Sequence, residues 1–147
     1  MERKKALTMT QNLPLNALVP YEGASKNGNK HLPQRLRFWI ETRDNQLELP
    51  LHDALMIGRQ GKTVSVDVDL SPYDAHHKGI SRQHAQIEIS SGRVMLRDVG
   101  SVNGTRLNGK KLVPDYVYEI HDGDIVQLGM MAVRVFFVAI ATKDLTM

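Results

Sequence analysis

From about residue 35 onward, apolar side chains fall at every second position in a series of short runs. In RLRFWIE, Leu36, Phe38 and Ile40 share one face, and Arg35, Arg37 and Trp39 share the other. VSVDVDL sets Val64, Val66, Val68 and Leu70 against Ser65, Asp67 and Asp69, and HAQIEI sets Ala85, Ile87 and Ile89 against His84, Gln86 and Glu88. RVMLRDV, DIVQLG and AVRVFFVAI repeat the pattern, and Ala54-Leu55-Met56-Ile57 adds a continuous apolar run. A period of two is the signature of strands with one face buried. Asp44-Asn45, Ser91-Gly92, Asn108-Gly109 and Asp122-Gly123 punctuate the runs with residues that accept positive φ or bond their own backbone. No stretch sustains a helical period beyond a single turn near SPYDAHH. The expected fold is all-β, an antiparallel β-sandwich over residues 32–141.

Residues 1–31 lack this periodicity. They contain Pro14, Pro20 and the run Glu22 to Lys30, a composition that buries little, so a flexible N-terminal arm is expected there. Residues 142–147 are expected to form a short C-terminal tail. The 147 residues, 41% of them hydrophobic, suit one domain with one core plus tails, built mainly from aliphatic side chains because Trp39 is the single tryptophan.

Charge and composition then remove several function classes. The formal net charge of +3 is a mild excess that does not call for nucleic acid as a partner. The absence of cysteine excludes disulfides and thiolate-bound metal. His76, His77, His84 and His121 show no spacing typical of a metal site, so neither metal nor cofactor is expected. Polar residues interrupt the basic start MERKKALTMTQNL, which makes a poor signal peptide, and MMAVRVFFVAIA is too short to span a bilayer and carries Arg134. The expected location is cytoplasmic, with no membrane partner.

The chemistry-bearing residues lie between the runs. Four features are expected to belong together: Gly58-Arg59; Gly79-Ile80-Ser81-Arg82-Gln83-His84; Gly100-Ser101-Val102-Asn103-Gly104-Thr105; and Asn108-Gly109. Arg59 and Arg82 offer planar guanidinium forks, Ser81 a hydroxyl, and Asn103 an amide that both donates and accepts. Such a set suits a tetrahedral dianion carried on a peptide, since a phosphate monoester bears about −1.5 to −2 charge at pH 7 and three acceptor oxygens.

The ordered set Gly58-Arg59, Ser81-x-x-His84 and Asn103-Gly104-Thr105 resembles the forkhead-associated (FHA) domain, stand-alone bacterial type, over about residues 35–141. The resemblance implies a sandwich of about 10–11 short strands that binds phosphothreonine-containing proteins through loops at one end. By position it implies that Arg59 and Ser81 hold the phosphate, that Arg82 adds a contact, and that Asn103 bonds the ligand main chain. Gly58, His84, Gly104 and Thr105 would support the loops. Val102 occupies a position where the family often has a hydroxyl that helps the phosphate, so a side-chain bond is lost there and only the backbone remains to contribute. Gly79 stands where some relatives carry a side chain that reads the ligand.

Three function classes remain open. The first is a phosphothreonine-dependent adaptor in Ser/Thr kinase signalling, without enzymatic activity. The second is a phosphate-independent protein-binding or self-association scaffold. The third is a hydrolase using Ser81 and His84, which are three apart and in a straight strand would point to opposite faces. The arm adds a further expectation. Phosphorylated Thr8 or Thr10 would be a ligand for the chain's own sandwich, since about 20 flexible residues span ~25 Å.

Overall fold

Leu36, Phe38 and Ile40 are completely buried while Arg35, Arg37 and Trp39 are half-buried on the opposite face, as the alternation of RLRFWIE requires. The same alternation recurs through the computed structural model, which describes residues 32–139. The expected arm with Thr8 and Thr10, the tail, and residues 140 and 141 lie outside the described residues.

Eleven strands follow in order: β1 (Arg35–Ile40), β2 (Gln46–Pro50), β3 (Ala54–Gly58), β4 (Val68–Asp69), β5 (Gln83–Ser90) and β6 (Arg93–Asp98), then β7 (Thr105–Leu107), β8 (Lys110–Lys111), β9 (Val117–Glu119), β10 (Ile125–Leu128) and β11 (Met131–Val138). They form two sheets, ordered β2-β1-β11-β10-β7-β8 and β4-β3-β5-β6-β9. Leu36, Phe38, Leu128 and Val133 from one sheet meet Leu55, Ile57, Ile87 and Leu96 from the other in a single core. Each such side chain contributes roughly 1.5–3 kcal/mol by leaving water. Among the described residues no helix is long and apolar enough to cross a membrane. The turn expected near SPYDAHH is a single 3-10 turn, Ser71–Tyr73, closed by Asp74 in the left-handed region.

VSVDVDL departs from expectation. Only Val68 and Asp69 pair in a sheet, and they run parallel to β3. The two aspartates are not a solvated face. Asp67 Oδ2 accepts the Met56 N–H at 2.8 Å, and Asp69 Oδ1 accepts the N–H groups of Gln60 and Ser71, each at 3.0 Å. Side-chain carboxylates thus stand in for ladder partners at this edge. Three of the short strands, β7, β8 and β9, have too few residues to show a period, whereas β2, QLELP, alternates between exposed and half-buried positions.

Strand direction sorts the loops into two groups. Because neighbouring strands are mostly antiparallel, the connections after β1, β3, β4, β6, β8 and β10 emerge at one end of the sandwich. Those after β2, β5, β7 and β9 emerge at the other.

Candidate functional site

At the first end, the close of β3 is pressed against the entry to β5. A Cβ on Gly58 would stand 2.0 Å from the Arg82 carbonyl oxygen, so only glycine fits. The next residue uses that proximity: the Arg59 N–H donates to the same carbonyl at 3.0 Å. Arg59 Nε donates to the Ile80 carbonyl at 2.6 Å, which aims the guanidinium at the segment that carries Ser81. Arg82 is exposed. Neither arginine has a carboxylate partner among the described residues.

Ser81 and His84 do meet, because the strand entry is irregular. Ile57 pairs with Ala85 but Gly58 pairs with Gln83, leaving His84 as the extra residue of a bulge. Both His84 and Ala85 therefore turn inward, and His84 is completely buried. The Ser81 backbone N–H donates to His84 Nδ1 at 3.0 Å, and Nε2 donates to the Gly104 carbonyl at 2.9 Å. Desolvation lowers the His84 pKa despite the bond to Gly104 and the nearby Asp98 charge. The ring is a neutral strut between two loops. Its one lone pair is taken by a backbone donor, so it has none left to accept a proton from Ser81 Oγ, and the hydrolase arrangement fails on geometry. Ser81 Oγ instead accepts the Val102 N–H at 3.0 Å, leaving its own proton available to a ligand.

The loop from Gly100 to Thr105 is organised by Asp98, a residue the sequence pattern did not single out. Asp98 is 1% exposed. Its Oδ1 accepts the hydroxyls of Ser101 (2.5 Å) and Thr105 (2.6 Å), and its Oδ2 accepts the N–H groups of Gly100 (3.0 Å) and Ser101 (3.1 Å). Burial pushes this carboxyl up, but the four bonds outweigh it and the pKa ends below the usual aspartate value. The Asp98-Val99-Gly100-Ser101 order was the available signal, since donors two and three residues on are those a short carboxylate reaches.

Asn103, held by this loop, donates from Nδ2 to the Gly79 carbonyl at 2.9 Å. Its Oδ1 accepts no bond among the described residues. Gly79 has φ of 78°, and a Cβ there would lie 2.5 Å from Asn103 Nδ2. Gly79 is thus the seat of Asn103 rather than an unfilled reading position. Val102 is 85% exposed, and its N–H is committed to Ser81, so the backbone contribution expected of it goes inward.

The β10–β11 turn, also unforeseen, locks onto the same loops. Gly129 N–H donates to Gly104 O at 3.1 Å and Met130 N–H to Lys78 O at 2.8 Å. Lys78 pairs with Glu41 at 2.9 Å, tying in the β1–β2 loop.

Asn108-Gly109 does not belong here. It turns between β7 and β8, and because β7 runs away from the Gly104 loop, the turn emerges at the opposite end of the sandwich. There Asn108 Oδ1 accepts the Ile125 N–H at 2.9 Å. A count of strands would have shown this, because successive hairpin connections alternate ends. The histidines likewise scatter: His77 bonds Asp74, His84 is internal, and His121 lies at the far end.

The chemistry this constellation offers is capture of an anion. Two guanidinium groups without counter-ions, a hydroxyl with a free proton and an amide stand on loops already bonded to one another, so little order must be added on binding.

The chain matches the FHA domain family over residues 55–129. It is 34% identical over 87 residues to protein FraH of Nostoc sp., covering 58% of this chain and 30% of that protein. It spans about a third or less of the length of each curated relative it matches. Among solved structures, the FHA domain of an Arabidopsis thaliana hypothetical protein superposes with a TM-score of 0.60 at 31% identity, over 74% of this chain and 88% of that one. The N-terminal FHA domain of Saccharomyces cerevisiae Rad53p, solved with a phosphothreonine peptide, shares the fold with a TM-score of 0.55 at 20% identity, over 69% of this chain and 92% of that one.

Proposed function

The chain belongs to the FHA domain family, and on that premise we propose that it is a phosphothreonine-dependent protein-interaction module, an adaptor downstream of a Ser/Thr kinase. One observation carries the reading: Arg59 and Arg82, without carboxylate partners, stand beside Ser81 and Asn103 at one end of the sandwich. In this reading Arg59 and the Ser81 hydroxyl take phosphate oxygens, and Arg82 adds a peripheral charge. Asn103 Oδ1 and its second N–H clamp the ligand main chain. Val102 contributes through the bond that orients Ser81. Gly58, His84, Gly104 and Thr105 hold the loops in register.

The test is calorimetric titration with one peptide in phosphothreonine, phosphoserine and unphosphorylated forms. Binding is expected for the first, with marked weakening for the other two and below about pH 6, where the phosphate gains a proton. Arg59→Ala is expected to weaken binding by about thirtyfold or more, with the fold checked by circular dichroism. Equal binding of the unphosphorylated peptide, or a neutral Arg59→Ala, would replace this reading with the phosphate-independent scaffold. Peptides from the chain's own N-terminal segment, phosphorylated at Thr8 or Thr10, belong in the same titration as candidate ligands.

A further inference from the structure

The acidic side chains at the recognition end are engaged, exposed Asp44 in the β1–β2 loop excepted. Glu41 is held by Lys78, Asp74 by His77, and Asp115 lies 3.9 Å from Arg97. Asp98 accepts four bonds, and Asp67 and Asp69 accept backbone N–H groups. Other cations besides Arg59 and Arg82 lack a carboxylate partner among the described residues, Lys62 and Lys110 included, and two of these others face each other. Arg106 and Lys111 lie directly opposite each other across the β7–β8 hairpin, both exposed, on the same face. Neither has a carboxylate partner among the described residues, and the one hydrogen bond their side chains make there is a long 3.4 Å contact from Arg106 to the Gly109 carbonyl. Like charges directly opposite on a two-stranded edge destabilise it. The next residue across the sheet from Arg106 is Gln127, which does not relieve the repulsion.

This pair adjoins the site. The end of the Lys111 side chain lies against Gly104, with Nζ 3.7 Å and Cε 3.2 Å from where a Cβ on that glycine would stand. Gly104 immediately follows Asn103 and receives the His84 bond. A peptide clamped by Asn103 therefore passes within reach of a second positive centre, separate from the one formed by Arg59 and Arg82.

We infer that Lys111 and Arg106 are specificity-determining residues that select a second negatively charged side chain on the phosphothreonine ligand. The ligand class is thus a phosphothreonine segment with an acidic or additionally phosphorylated flank. The inference rests on the phosphopeptide reading of the site and deepens it.

The test uses a phosphothreonine peptide series in which a single glutamate, glutamine or phosphoserine is moved one position at a time along both flanks. Affinities are measured for the wild type, Lys111→Ala, Arg106→Ala/Lys111→Ala and Arg59→Ala. At one flank position glutamate is expected to bind the wild type about fivefold more tightly than glutamine, the scale of a surface ion pair, and phosphoserine more tightly still. The gain should shrink with added salt and vanish in the double variant, whose affinity for the glutamine peptide stays within about twofold of wild type. Arg59→Ala should weaken every peptide alike. No glutamate or phosphoserine gain at any position, or an equal loss for acidic and neutral peptides in the double variant, overturns the inference while leaving the phosphopeptide reading standing. Failure of every phosphopeptide to bind the wild type overturns that reading and this inference together.

Discussion

Each end of the sandwich holds a buried aspartate, and the two have opposite electrostatic fates. Asp98 at the recognition end and Asp124 at the far end are each 1% exposed. Asp98 accepts two hydroxyls and two backbone N–H groups, and its pKa falls below the ordinary value. Asp124 accepts the His121 N–H at 2.8 Å, but its Oδ1 has no partner. The Asn108 amide beside it misses hydrogen-bond geometry and is itself unpaired. Burial therefore dominates, and with the Asp122 charge it pushes Asp124 up to about 7, against small opposing effects from His121, Asn108 and Arg134. Burial alone does not set a carboxyl's charge; the number of donors aimed at it does. The recognition end spends its donors on Asp98 and so keeps a fixed loop, with its surface arginines free of internal counter-ions.

The comparison breaks most sharply if the Asp98 donors are turned away. Asp98→Asn substitutes an amide NH₂ for one acceptor among four donors. It is expected to lower stability by about 3 kcal/mol in urea unfolding and to lose phosphopeptide binding with it. A stability loss under about 1 kcal/mol would mean that the loop is not held by this carboxylate.

Asp124 should behave in the opposite sense. Its proton is held more tightly in the folded than in the unfolded chain, so its contribution to stability is fully present below about pH 4 and is lost as pH rises through about 7. Asp122, also raised, adds to the same slope. The change over that window is on the order of a few kcal/mol. Asp124→Asn should remove most of it and be neutral or stabilising at pH 8. The residual slope should then reverse: His84 and His121, both lowered, bind protons less readily when folded, so their contribution is present above about 6.5 and falls as pH drops. Urea midpoints across pH 4–8 for both proteins measure this.

A smaller effect on stability separates holding the loop from using it. Ser81→Ala removes the hydroxyl but leaves the Val102 N–H on an exposed residue that water can reach. Stability should change by less than about 1 kcal/mol while phosphopeptide affinity drops about tenfold. Smallest of all, Val102→Thr places a hydroxyl at an exposed position beside Ser81 and should raise affinity by about fivefold at most.

Much of this fold was legible because a strand's alternation is a local property. The faces of β1, β5, β6, β10 and β11 follow from each residue's own backbone geometry. β7, β8 and β9 were not legible, being too short to show a period, whereas the alternating QLELP of β2 was legible and passed over, and VSVDVDL misled because Asp67 and Asp69 bond backbone donors from another segment. The loops that carry Arg59, Ser81 and Asn103 were legible as an ordered set of residue types, and they do meet at one end. Gly129-Met130 was not, since it bonds Gly104 and Lys78, both distant in sequence, whereas Asp98 and Lys111 act on groups only two to seven residues away and were passed over. Asn108-Gly109 was grouped with the site because nearness along the chain stood in for strand direction.

The sequence by itself determined that the chain forms a sandwich, which faces turn inward, and which side chains suit an anion. Tertiary structure alone decided which loops share an end, that a bulge brings His84 inward to join two of them, and that Asn103 rests on Gly79. Those outcomes depend on pairings between segments some 20 residues apart. A local pattern carries no information about them until the sheets have packed.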